Sequence, residues 1–158
     1  MLELRFAHPD DAGLVLQFIR ALAEYEREAR SVETTEAVLH QQLSAANPPF
    51  ECLFAELDGE PVGFALFFHS YSTWTGKLGL WLEDLFVLPQ ARRHGVGTTL
   101  LRRIAAIARE RDCGRLEWSV LDWNESAQNF YKTLGARLMT EWVICRVSGP
   151  QIASLAEG

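Results

Sequence analysis

The chain has 158 residues, 48% of them apolar and 23% charged, which is enough for one globular domain with a core that needs no metal or disulfide. Fifteen basic against 21 acidic residues give a formal net charge of -6, which disfavours nucleic acid as a partner and leaves room for a small cation. Cys52, Cys113 and Cys145 are odd in number and form no Cys-x-x-Cys pair, and His8, His40, His69 and His94 show no ligand spacing, so neither a disulfide framework nor a metal site is expected. The start "MLELRFAHPDD" lacks the order of a signal peptide, and the longest apolar run, "VGFALFF", is too short for a bilayer. The expectation is a soluble cytoplasmic protein with no membrane partner.

In chain order, "LELRFA" alternates and predicts a strand. "HPDD" opens a helix whose apolar stripe is Leu14, Val15, Phe18, Ile19 and Leu22, and which runs out in the polar "AEYEREAR". "TTEAVLHQQLSAA" predicts a second helix with a threonine cap, closed by "NPP". "FECLFAEL", "DGE" and "PVGFALFFHS" read as a hairpin, followed by a loop "YSTWTGK" and a long strand "LGLWLEDLFV" that Pro89 ends. Residues 96–112 form a helix with Val96, Leu100, Leu101, Ile104, Ile107 and Ala108 inward, and Gly114 stops it. "RLEWSVL" predicts a strand, Asn124 caps the helix "ESAQNFYKTL", "EWVICRV" predicts a last strand, and the tail has room for one helical turn. The order is β-α-α-β-β-β-α-β-α-β. It predicts a single α/β domain over residues 1–158, core about 2–147, with a mixed, mostly antiparallel central sheet flanked by helices. The strands at 78–87 and 115–121 should be parallel and joined by a right-handed crossover.

The stretch "FVLPQARRHGVGTTLL" gathers Arg92, Arg93 and His94 where a helix begins, although a helix start favours negative charge. Three phosphate-binding patterns compete there. A dinucleotide fingerprint lacks its third glycine, because Leu100 stands there, and a nucleotide-triphosphate loop fails because Gly76-Lys77 precedes Leu78. Arg-x-x-Gly-x-Gly is matched by Arg92, Gly95 and Gly97. Its glycines let backbone N–H groups approach an anion, and the dipole favours one. A tight turn with solvated basic side chains is the plain alternative.

Glu83 and Asp84 interrupt an apolar strand, where regular alternation sends them to opposite faces. A carboxylate there must be paired or solvated. Either the pair is structural, or one of them serves proton transfer. A lysine-like amine, pKa about 10.4, arrives as ammonium at neutral pH and needs its proton removed before it attacks a carbonyl.

"ARRHGVGTTLL" after "LEDLFVLP" resembles the acetyl-coenzyme A loop of the Gcn5-related N-acetyltransferase (GNAT) superfamily. "YSTWTGK", "LWLEDLFV" and "LDWNESAQNFYKTLGA" resemble its diamine branch, which holds spermidine/spermine and thialysine acetyltransferases, and the likeness runs from "LRFA" to "WVICRV". Arg93 and His94 depart from the glycine-plus-aromatic pair frequent in the polyamine enzymes, and Ser72-Thr73 stand where those often have Asp-Pro. The resemblance implies the acyl-coenzyme A N-acyltransferase fold, acetyl-coenzyme A as co-substrate, a small cationic amine as acceptor, direct transfer with no acyl-cysteine, and a homodimer. It implies that Arg92, Arg93, His94, Gly95, Val96, Gly97 and Thr98 hold the pyrophosphate, that Leu85, Phe86 and Val87 lie along the cofactor, and that the Val87 N–H polarises the acetyl carbonyl. It gives Glu83 the role of base through water and Tyr131 the role of acid to the thiolate. It implies as well that Asn124, besides capping its helix, contacts the pantetheine arm, and that Tyr25, Glu26, Trp74, Glu83 and Asp84 line the amine channel. An enzyme acting on protein lysines or amino-terminal amines, and a non-catalytic acyl-coenzyme A sensor, remain as rivals.

Overall fold

The computed structural model describes residues 1–158. Its elements are β1 (Leu2–Phe6), α1 (Ala12–Tyr25), α2 (Glu36–Leu43), β2 (Glu51–Leu57), β3 (Glu60–Ser72), β4 (Lys77–Val87), α3 (Val96–Glu110), β5 (Arg115–Glu117), α4 (Glu125–Thr133) and α5 (Pro150–Glu157). Backbone contacts divide the chain into two compact units, Met1–Ser119 and Val120–Gly158.

The first unit holds a five-stranded sheet in the order β1-β2-β3-β4-β5. Neighbours are antiparallel except β4 and β5, which run parallel through Gly79–Trp81 and Arg115–Glu117. This is the mixed, mostly antiparallel sheet that the sequence predicts. On one face, α1 and α2 bury Val15, Phe18, Leu22 and Leu39 against Cys52, Phe54, Phe64, Leu66 and Phe86. Phe18 stacks on Phe64 with centroids 5.3 Å apart and tilts against Phe54 at 5.8 Å. Each such ring contributes roughly 1.5–3 kcal/mol by leaving water. The alternate residues of β3 face α3: a Cβ at Gly63 would lie 3.2 Å from the Val96 side chain, so glycine there permits close approach of strand and helix.

α1 begins one turn later than the proline suggests. Pro9–Asp11 form a 3-10 turn, and Asp11 accepts two hydrogen bonds from Arg5, at 2.7 and 3.0 Å, and one from the His8 N–H at 2.7 Å. The Arg5 guanidinium holds the Asp11 carboxyl below the usual carboxylate range. The β3–β4 hairpin is longer than predicted. Tyr71, Ser72 and Lys77 belong to its strands, which leaves Thr73–Gly76 as the turn and Trp74 80% exposed at its tip.

Two strand expectations are corrected. "RLEWSVL" contributes only Arg115–Glu117 to the sheet, because β4 bulges at Glu83, just beyond its last parallel pair at Trp81, and a bulge bends and twists the strand away from a straight ladder. β4 therefore runs on from Leu82 to Val87 beyond its last pair with β5. "EWVICRV" forms no strand at all. Its β-branched and aromatic residues favour extended backbone, but a strand is made by its ladder, and this segment joins none in the sheet. Trp142, Val143 and Ile144 are 64%, 84% and 67% exposed.

In the second unit, α4 starts at Asn124, whose Oδ1 accepts from the Ala127 N–H at 3.2 Å. Gly135, at φ 92, ends the helix. The tail makes a helix of eight residues, α5, instead of a single turn.

Candidate active site

The bulge decides how the two carboxylates are presented. Asp84 stands opposite Leu66 and Leu82 opposite Phe67, so Glu83 is the extra residue with no partner on β3. The slip returns Asp84 to the face of Leu66 and Phe86, which α1 covers. Glu83 shares the side of Trp81, whose indole Nε1 donates to Glu83 Oε2 at 2.7 Å. The alternation that sends Glu83 and Asp84 to opposite faces is thus overturned, because the extra residue shifts the strand's phase between them. Trp81 was not among the site residues read from the sequence. The Trp-x-Glu spacing, which puts the two side chains on one strand face, is the signal in the sequence that points to it.

Asp84 is largely buried. Burial, then the charges of Glu83 and Glu26, push its carboxyl up to about 7. Glu26, the residue after α1, is also raised, by burial first and then by Glu28 and Glu83. Three acids from two elements therefore feel one another across the end of α1 and the middle of β4. Such a group is stabilised by an incoming cation, and Asp84 can exchange a proton near neutral pH. Cys52 lies on the same face, and burial pushes its thiol up, so it is a protonated core residue.

The turn after β4 leaves the start of a helix open. Gly95, at φ 76, is the N-cap of α3, and Arg93 is also left-handed at φ 67. Left-handed residues on either side of His94 produce the kind of concave backbone that gathers N–H groups around an anion. The Thr99 N–H makes the first helical bond, to the Gly95 carbonyl at 2.9 Å, so the N–H groups of Val96, Gly97 and Thr98 have no acceptor within the helix. No side chain caps α3 and no acidic residue stands in its first turn. A 15-residue helix with this open start fits the pyrophosphate of coenzyme A by donor type and by dipole.

Arg92 is placed differently from its neighbours. Its N–H points to the Pro89 carbonyl at 3.3 Å, and its Nε donates to the Val87 carbonyl at 3.0 Å. Its guanidinium lies over the Tyr25 ring at 4.7 Å and the Phe86 ring at 5.5 Å, and those rings are 6.0 Å apart. The structure thereby brings together Tyr25, Glu26, Glu83, Asp84, Phe86, Val87 and Arg92. Leu85 pairs opposite Ala65 on β3, one residue from Phe86. Trp74 stands at the hairpin tip, away from this group along β4. In the second unit, Asn124 and Tyr131 are both buried on α4, and the Tyr131 ring meets Phe130 at 5.4 Å.

Comparison with known proteins gives these features a family. The sequence model of the acetyltransferase (GNAT) family matches residues 16–136. The chain is 40% identical over 164 aligned positions to a thialysine N-epsilon-acetyltransferase of Sus scrofa, covering 97% of this chain and 96% of that protein. It is 41% identical over 93 positions to the L-ornithine N5-acetyltransferase NATA1 of Arabidopsis thaliana, covering 59% of this chain and 41% of that one. Among solved structures, an integron cassette protein of V. cholerae superposes with a TM-score of 0.80 at 27% identity, covering 99% of this chain and 98% of the other. These matches agree with the branch that the motifs resemble, and the fold is the family's. From the first helix to the end of the fourth the chain belongs to the acetyltransferase (GNAT) family, and it is an acetyltransferase.

Proposed function

We propose that this acetyltransferase moves the acetyl group of acetyl-coenzyme A directly to the terminal primary amine of a small cationic substrate, and that a lysine-like amino acid of the thialysine kind fits best, with diamines next. One observation carries the reading: the uncapped turn at α3 and the acids Glu26, Glu83 and Asp84 are joined by a shared wall of Tyr25, Phe86 and Arg92. An open helix start and a cluster of acids thus adjoin, which is what joining an anionic acyl carrier to a cationic amine requires. The names of the pig and plant relatives, both acting on amino acids that end in a primary amine, support the same class.

Acetyl-coenzyme A supplies an activated acetyl group as its thioester. Arg93, His94, Gly95, Val96, Gly97 and Thr98 hold its pyrophosphate through backbone N–H groups. Leu85, Phe86 and Val87 line its arm, and the Val87 N–H polarises the acetyl carbonyl. Glu26 and Asp84 attract the ammonium, with Tyr25 beside them. Glu83, held by the Trp81 indole, takes the amine's proton through water. Tyr131 gives a proton to the departing sulfur, and Asn124 contacts the pantetheine arm while capping α4. The working form is a homodimer.

The test is a panel of amines (thialysine, lysine, ornithine, 1,4-diaminobutane, spermidine and a lysine peptide) incubated with acetyl-coenzyme A while free thiol is measured. The expected result is release with thialysine above the rest. Release only with the peptide, or binding of coenzyme A without release for any amine, overturns it.

A further inference from the structure

We infer that Tyr25 is a positioning residue for the coenzyme A turn, acting through Arg92, in addition to any contact it makes with the amine. The inference rests on the assignment of that turn to coenzyme A. Tyr25 is the last residue of α1, 67 positions before Arg92 in the sequence numbering, yet its ring lies under the Arg92 guanidinium at 4.7 Å. Phe86 closes the same guanidinium at 5.5 Å, and the Arg92 Nε is committed to the Val87 carbonyl at 3.0 Å. The side chain therefore turns back from the anion-binding turn and is pinned between α1 and the end of β4.

This pinning has a consequence for the backbone that follows. Arg93 holds a left-handed conformation that a side-chain-bearing residue adopts only at a cost. Gly95 is left-handed too, and no capping side chain of α3 fixes the shape of the turn. Arg92 stands at its entry, with its N–H on Pro89 and its guanidinium on Tyr25. An anion-binding turn is useful only if its N–H groups converge before the ligand arrives, because ordering them on binding subtracts from affinity. The Tyr25 ring supplies that order from another element. A phenylalanine ring provides the same face for the cation, whereas an aliphatic side chain fills space and offers no such face.

The experiment uses the full chain and coenzyme A itself, without amine, so that Tyr25's part in amine binding does not enter. Calorimetry compares the parent, Tyr25→Phe, Tyr25→Leu, Arg92→Leu and the double variant Tyr25→Leu/Arg92→Leu. The expected result is a coenzyme A affinity within about twofold of the parent for Tyr25→Phe and weaker by roughly three- to tenfold for Tyr25→Leu. The double variant should bind no more weakly than Arg92→Leu, since the ring acts only through that side chain. In the unliganded proteins, backbone 15N relaxation of residues 93–97 should show greater mobility in Tyr25→Leu and not in Tyr25→Phe. Tyr25 is 38% exposed at a helix end, so both single variants are expected to fold, and melting curves check it. Unchanged turn mobility in Tyr25→Leu overturns the inference, as does unchanged affinity or an additive double variant. Failure of the parent to bind coenzyme A overturns the functional reading instead, and the relaxation data still decide what Tyr25 does to the turn.

Discussion

Trp81 and Glu83 stand on the same side of β4, and the indole N–H of the first donates to the carboxylate of the second at 2.7 Å. The bulge at Glu83 removes this residue from the ladder to β3, so its position is set by that hydrogen bond more than by strand pairing. Glu83 is exposed, so the bond's contribution is at the lower end of the roughly 1.5–3 kcal/mol found for bonds to charged groups. A carboxylate held this way is oriented by its neighbour, and both residues can be tested.

Glu83→Gln keeps the shape and removes the carboxylate proposed as the base. Turnover at neutral pH should fall by roughly 10²-fold or more, and less at high pH, where free amine and hydroxide replace the missing group. Trp81→Phe should lower turnover by about three- to tenfold and leave coenzyme A binding unchanged. In the double variant the Trp81 effect should vanish, because it acts through Glu83. Turnover of the Glu83→Gln and parent enzymes running in parallel over pH, with both fully folded, refutes the assignment.

Arg93 supplies a second test. At φ 67 an arginine bears a strain of about 1–2 kcal/mol that glycine does not. Glycine's extra freedom in the unfolded chain offsets roughly 0.5–1 kcal/mol of the gain. Arg93→Gly should therefore stabilise the protein by about 0.5–1 kcal/mol, a rise of a few degrees in Tm. Coenzyme A affinity reads the other half. If the Arg93 backbone alone serves the ligand, affinity is kept, and a loss shows that the side chain contributes charge.

Tyr131 is buried on α4, where Phe preserves ring and packing. Tyr131→Phe should reduce turnover by roughly 10²- to 10⁴-fold, with melting temperature and coenzyme A affinity near those of the parent. Leaving groups more acidic than coenzyme A depend less on an acid, so a thioester with a low-pKa thiol should narrow the gap. Full activity in Tyr131→Phe assigns the residue to the core of its unit.

How far the sequence carries the argument follows from range. Motifs set by local geometry are legible: the Thr35 cap of α2, the Asn124 cap of α4 and the uncapped Gly95 start of α3 are all visible as residue types in order. The family resemblance rests on these and on the strand before the turn. The bulge is not legible, because "LWLEDLFV" is compatible with an unbroken strand and the slip is set by packing against β3. It changed the faces of Glu83 and Asp84. The stack of Arg92 on Tyr25 is not legible either, since it joins elements far apart in the chain and neither residue carries a local mark of it. "EWVICRV" misled for the opposite reason. Its local propensity is high, but a strand requires a partner that propensity does not specify.

Asp84 makes the last prediction, and its sign has to be worked through. Its carboxyl sits at about 7 in the folded protein against 3.8 for an ordinary aspartate, chiefly through burial and then through Glu83 and Glu26. Between those values the folded chain binds more protons than the unfolded one, so stability falls as pH rises from about 4 to about 7 and levels off above. The total is up to about 4 kcal/mol. Asp84→Asn carries no such dependence. The variant should gain on the parent steadily across that window, and chemical denaturation at pH 5, 6, 7 and 8 measures the gap. A bound ammonium reverses the balance, because it favours the charged carboxylate. Binding of thialysine below pH 7 should then release protons from the parent. Calorimetry in phosphate and in imidazole, whose ionisation enthalpies differ, will show the release as a buffer-dependent heat. Asp84→Asn should lose most of it, and Glu26→Gln, whose carboxyl is raised as well, a smaller part. A stability gap that grows with pH but a binding heat independent of buffer would leave Asp84 as a buried acid of the strand and remove it from the amine site.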